Sequence, residues 1–232
     1  DDPGQPDWLE ENALVWRRVI ADTETPVGTA LKLMVPERGD FLLESVEGGA
    51  IRGRYSLLGL DPDLVLRATG AACEVNPRWQ QDRAGFTPLP GDSLAELRAL
   101  AGGCRIEVPA ELPPALACLV GYFGYETIGL VEHLPRAPQS ELALPDMLFA
   151  RPTLVLVFDG LTDALYCVAP LWAGAAEPEA AITRAGERID EALRAFLEEE
   201  RSRVQAIESR AIAVLDETER LIRAGGKRLR PA

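Results

Sequence analysis

The stretch FLLES, Phe41 to Ser45, puts a carboxylate and a hydroxyl, Glu44 and Ser45, straight after an apolar run. A little further on, GRYS supplies a guanidinium, a phenol and a second hydroxyl: Arg54, Tyr55 and Ser56. A free amino acid needs an acid or carbonyl for its ammonium and hydroxyl, N–H or guanidinium donors for its carboxylate. It also needs an apolar slot for its side chain. These two segments offer all three, and a hairpin turning at Gly48-Gly49 would lay them side by side. A plainer reading stands beside this one. Strand alternation sets Leu43 and Ser45 on one face and Leu42 and Glu44 on the other, and on an edge strand Glu44 simply faces water. Residue types and spacing leave both open.

A second constellation closes the chain, AGGKRLRPA. Its clustered cations, with Lys227 and Arg230 at the ends of KRLR, and its glycine-exposed N–H groups suit a diphosphate. Cations are equally favourable at a helix C-terminus with no ligand at all, so this segment too has two readings.

The whole chain has 232 residues and a net charge of −13, which excludes a general nucleic-acid binder. The charge is uneven: residues 201–232 hold eight basic and four acidic side chains, +4, so residues 1–200 carry −17. That shift marks a boundary near residue 200, separating a domain over 1–200 from a tail over 201–232. Cys73, Cys104, Cys118 and Cys167 are too scattered for a zinc spacing, and His133 is the single histidine, in a loop position that suits a structural role. No metal site and no cofactor are expected in this chain. Four dispersed thiols fit a reducing compartment, the cytoplasm, better than a disulfide frame. No apolar run reaches 18 residues, so no membrane span is expected. The opening DDPGQPDW, without methionine, is compatible with a fragment.

The elements that would carry these groups follow from patterning. Ala13–Asp22 reads as a strand, and Thr25-Pro26 opens a short helix that Pro36 stops. Phe41–Glu47, Arg54–Leu60, Leu64–Ala68 and Ala72–Asn76 read as strands separated by turn residues, with a polar excursion over 77–91. Asp92 or Ser93 caps a second helix, with Ser93 and Glu96 at capping-box spacing. TLVLVFDG followed by ALYCVA is a hairpin over 153–169. A helix begins at Pro178 and residues 203–224 are helical again. The acidic run at 198–200 opposes the macrodipole if a helix ends there, and is unremarkable inside a longer one. Antiparallel meanders with segregated helices give an α+β class: antiparallel sheets with flanking helices, then a helical C-terminal tail.

Several segments, in order, resemble the N-terminal domain of anthranilate synthase component I, of the chorismate-utilising family. They are ETPVGTALKL (24–33), FLLESVEGG with RGRYSLLGLDP (41–62), GDSLAELRAL (91–100), GYFGYETIGLVEHLP (121–135) and LPDMLFARPTLVLVFDG (144–160), within residues 13–197. The resemblance implies the N-terminal half of the chorismate-utilising fold. The parent reaction is chorismate plus ammonia, drawn from glutamine by an amidotransferase subunit (component II), to anthranilate and pyruvate. Magnesium belongs to a catalytic half that this chain does not supply, so no catalytic residue and no chorismate turnover are expected of it. The resemblance also implies feedback inhibition by L-tryptophan bound at Ser45, with Glu44 before it and Arg54, Tyr55 and Ser56 nearby. The chain departs from the family signature at Glu126 and Gly129, where aspartate and arginine are usual. The sister enzyme aminodeoxychorismate synthase component I, of the folate pathway, is the alternative. GGKRLRP resembles the diphosphate-binding segment of trans-polyprenyl diphosphate synthases, through Lys227 and Arg230, but the aspartate-rich motifs of that family are absent. A non-enzymatic fusion fragment, joined near residue 200, is therefore a further reading.

Overall fold

A computed structural model describes residues 11–44, 53–114, 116, 118–132, 144–174 and 177–226, with backbone alone for parts of 197–226. Ser45, His133, Lys227 and Arg230 lie outside the described residues. The chain forms two compact units, Asp1–Asp190 and Glu191–Ala232.

The first unit holds two five-stranded sheets, and every strand pairing described is antiparallel, as the meander pattern requires. Its elements are β1 (Ala13–Ile20), α1 (Pro26–Leu33), β2 (Phe41–Leu43), β3 (Tyr55–Leu60), β4 (Leu64–Thr69), β5 (Ala72–Asn76), β6 (Thr87–Pro88), α2 (Ser93–Gly103), β7 (Val120–Phe123), a 3-10 turn (Tyr125–Leu130), β8 (Met147–Arg151), β9 (Leu154–Asp159) and β10 (Ala164–Leu171). One sheet runs β1-β10-β9-β3-β2, the other β6-β5-β4-β8-β7. The α+β class is as the patterning implied.

Hydrophobic continuity explains the centre. All six residues of β9 are buried, as expected for a strand covered on both faces. A second apolar cluster, Leu66, Ala68, Cys73 and Met147, is closed by Leu94, Leu97 and Leu100 of α2, the leucine stripe visible in the sequence. Edge strand β2 is tied to β3 by an aromatic over a glycine. Phe41 pairs with Gly59, and a Cβ on Gly59 would fall 2.1 Å from the Phe41 ring.

Local signals operate at the helix starts. Thr25 accepts the Gly28 N–H and Pro26 occupies the first turn of α1. At α2 the cap is Asp92, whose carboxylate accepts the Leu94 and Ala95 N–H groups at 3.1 and 2.9 Å. The expected Ser93–Glu96 box does not form. Ser93 instead donates to the Gly70 carbonyl, and Glu96 reaches past it to accept the Gly91 N–H. Strand β2 ends at Leu43, short of the expected Glu47.

From Pro178 to Gly226 the backbone is one continuous helix, α3, so the acidic residues 198–200 lie within it rather than at its end. Within the first unit Ala185 and Ile189, four apart on α3, are fully buried. The second unit is made by the rest of α3. There Ile207, Ile212 and Val214 are 67%, 59% and 65% exposed.

Candidate functional site

The first residues of β3 carry the site. Tyr55 pairs with Asp159 at the far end of β9, so Arg54, just before the strand, lies against the β9–β10 turn. Its backbone carbonyl accepts the Gly160 N–H at 2.9 Å. Its guanidinium forks onto the Asp159 carboxylate, Nε to Oδ1 at 2.7 Å and Nη2 to Oδ2 at 2.6 Å, and lies over the Tyr55 ring at 4.8 Å. Asp159 also accepts the Leu161 N–H and the Thr162 hydroxyl. Hydrogen bonding from Arg54 outweighs the opposing effect of burial and holds the Asp159 carboxyl down at about 2. The same bond raises Arg54 above its ordinary value.

The named site residues therefore differ in state. Glu44 directly follows β2 and is exposed, and β2 is an edge strand, so this carboxylate faces water. Ser56 is 7% exposed. Leu43 pairs with Leu57, so Glu44 and Ser56 stand one residue beyond the last paired positions of the hairpin. The described residues show antiparallel pairing of Phe41–Leu43 with Leu57–Gly59, while Ser45 and the connecting residues 46–52 lie outside them. Arg54 is committed to Asp159, however, and does not stand as a free fork for a ligand carboxylate. Residue patterning did not disclose Asp159. Its partner lies 105 positions away, and the only local signal is a charge ending an otherwise apolar strand.

The signature GYFGYETI is explained by packing. A Cβ on Gly121 would meet the Leu148 carbonyl oxygen at 1.9 Å, and Gly124 donates to the Asp146 carbonyl at 2.6 Å. Tyr122 donates to Pro145 and Thr127 to Asp146, fastening this segment to the LPDM stretch. Glu126 and Gly129 lie on the 3-10 turn, and nothing around Gly129 lies within 4 Å of an added Cβ.

Two cavities lie elsewhere in this unit. One of about 350 Å³ is lined mainly by apolar groups of α2 and the segment before β7, with Cys104 and Cys118 in its wall. One of about 460 Å³ includes Glu96, Arg151 and Trp172. Burial pushes the Cys118 thiol up to about 11 and Cys167 up to about 12, so neither is a ready nucleophile. Among the described residues no group of three or more His, Cys, Asp or Glu side chains could hold a metal ion. No helix among them is long and apolar enough to cross a membrane.

With the fold and the hairpin in view, the comparisons give a class. The N-terminal part of the chain is homologous to proteins named anthranilate synthase component 1. The protein of that name from Cereibacter sphaeroides is 45% identical over 185 residues, covering 79% of this chain and 37% of the relative. Those from Mycolicibacterium smegmatis and Thermus thermophilus are 37% and 36% identical, over 62% and 65% of this chain and 27% and 30% of their own lengths. The chain thus spans well under half the length of the relatives it matches. No family model matches. The crystal structure of anthranilate synthase component I from Streptococcus pneumoniae aligns with a TM-score of 0.48 at 21% identity, over 77% of this chain and 37% of that one. The likeness of the last residues to polyprenyl diphosphate synthases gains no support from these relatives.

Proposed function

We propose that this chain is the N-terminal regulatory portion of an anthranilate synthase component I, acting in tryptophan biosynthesis and binding L-tryptophan as feedback ligand. The observation that carries the reading is the 45% identity over 185 residues to a protein of that name. The relatives reported bear the anthranilate synthase name, which favours this branch over aminodeoxychorismate synthase. In this reading the Glu44–Ser45 end of the β2–β3 hairpin receives the amino acid. Ser45 contacts it and Glu44 offers a carboxylate to its ammonium. Arg54 is a positioning residue: bound to Asp159, it fixes the start of β3 against the β9–β10 turn, while Tyr55 and Ser56 complete that strand end. Chorismate chemistry, with magnesium, belongs to a catalytic half, and ammonia comes from a glutamine amidotransferase partner.

The test is a chimera in which residues 13–197 replace the matching segment of the Cereibacter sphaeroides protein. Anthranilate formation should proceed and be inhibited by tryptophan, with Ser45→Ala weakening inhibition at least about tenfold, as loss of a hydrogen bond to a charged ligand would. The 232-residue chain alone, given chorismate, magnesium and ammonia, should form no anthranilate. A chimera that turns over normally and ignores tryptophan overturns the reading.

A further inference from the structure

A third cavity, of about 250 Å³, opens at the other end of β9 from Asp159. Its walls include Thr153, just before β9, Asp63, Trp172, just after β10, and two arginines of α3, Arg184 and Arg188. Those arginines are four residues apart, hence on one helix face. Like charges so placed destabilise a helix slightly, and this chain, with 37 acidic side chains, has ample means to neutralise them. Among the described residues neither guanidinium makes an ion pair or hydrogen bond. The charge of Arg188 does reach Asp61, whose carboxyl burial raises.

Asp63 does not answer the two cations. Both its oxygens are held by Arg151, at 2.8 and 2.9 Å, so that pair is internally balanced. Arg151 in turn lies over the Trp172 ring, 4.7 Å from its centroid, which fixes the aromatic wall. The Thr153 hydroxyl is spent as a donor on the Asp61 carbonyl at 2.8 Å, leaving its lone pairs. A preset aromatic wall beside two guanidiniums that make no ion pair or hydrogen bond among the described residues suits a group with paired oxygens and negative charge, because each fork can take two oxygens at once. The volume lies below the roughly 300–1,000 Å³ of sites for drug-sized ligands, so the ligand is small.

We infer that this cavity binds a small oxyanion, a carboxylate or phosphate group, between Arg184 and Arg188 and against Trp172. The inference is independent of the tryptophan reading, whose described β3 residues, Tyr55 and Ser56, pair with the opposite end of β9. The experiment is NMR titration of the 15N-labelled 232-residue chain, in chloride buffer, with inorganic phosphate and separately with malonate. Saturable shifts of the Trp172 indole and Ala173 amide signals in the millimolar range are expected. Saturation by phosphate alone assigns a phosphoryl ligand, by malonate alone a carboxylate, and by both the shared oxyanion chemistry. Arg184→Gln and Arg188→Gln should each weaken binding, and the double variant should do so at least about tenfold. Arg98→Gln, an exposed arginine on α2, should leave it unchanged. No saturable shift with either anion, or titration curves that the double variant does not alter, would overturn the inference.

Discussion

Asp159 accepts four hydrogen bonds while its side chain is only 3% exposed. Its carboxyl, near 2 in the fold, sits below the ordinary value of 3.8. A depressed carboxyl stabilises the fold above the unfolded value, and that contribution is lost as pH falls from about 4 toward 2. Asp159→Asn should therefore lower stability at pH 7 by roughly 2–3 kcal/mol and flatten the acid limb of a plot of urea midpoint against pH. An acid limb identical to the parent's would refute the assignment. At this scale patterning was a partial guide. It picked out Arg54, Tyr55 and Ser56 by type, yet the state of Arg54 depends on an aspartate 105 residues away, which no local spacing encodes. The pairing of Arg151 with Asp63, across 88 residues, was hidden for the same reason.

At the scale of elements, β7 is the most sensitive to a single methyl group. Gly121 pairs with Phe149 of β8, and any Cβ there collides with main-chain atoms, which cannot rotate away as a side chain can. Gly121→Ala should expel β7 from its sheet and cost about 1–3 kcal/mol, with the amides of Val120–Phe123 losing hydrogen-exchange protection before those of β4. Gly129→Ala, in open space on the 3-10 turn, is the control and should leave that protection unchanged. The elements themselves were largely legible because their signals are local. Thr25-Pro26 starts α1, two apolar runs and a turn give the β9–β10 hairpin, and the leucine stripe gives α2. The misplacements were local contests as well. Asp92 and Ser93 are both competent caps, and the carbonyl of Gly70, on a separate turn, decided between them by engaging Ser93. The end of β2 at Leu43 was hidden because FLLESVE is strand-like in composition throughout.

For the whole molecule, the two units differ in how their secondary structure is sustained. The first unit covers β9 on both faces, whereas α3, past buried Ala192 and Phe196, leaves Ile207, Ile212 and Val214 exposed. A helix without tertiary burial is marginal in water, since propagation must offset a costly nucleus. Amides at 205–214 should accordingly exchange with deuterium much faster than those of β9, with mass spectrometry of peptic fragments as the readout. Equal protection would show that something covers that helix. The charge step near residue 200 was visible in composition; the continuity of α3 across it was not, because three glutamates in a row are compatible with either an end or an interior.

One pairing bears on how the chain comes into being. Among the described residues strand β1 pairs with β10 alone, Ile20 opposite Ala164 and Ala13 opposite Leu171. On a ribosome adding about 5–20 residues per second, β1 leaves the exit tunnel roughly 7–30 s before the strand it must join. Throughout that interval Val15, Trp16 and Val19 belong to a nascent segment without its sheet, and β10, which links β1 to the central strand β9, is the last strand of this layer to be synthesised. Completion of that layer therefore waits on β10, and a holdase that shields the emerging β1 segment during the interval would favour correct pairing.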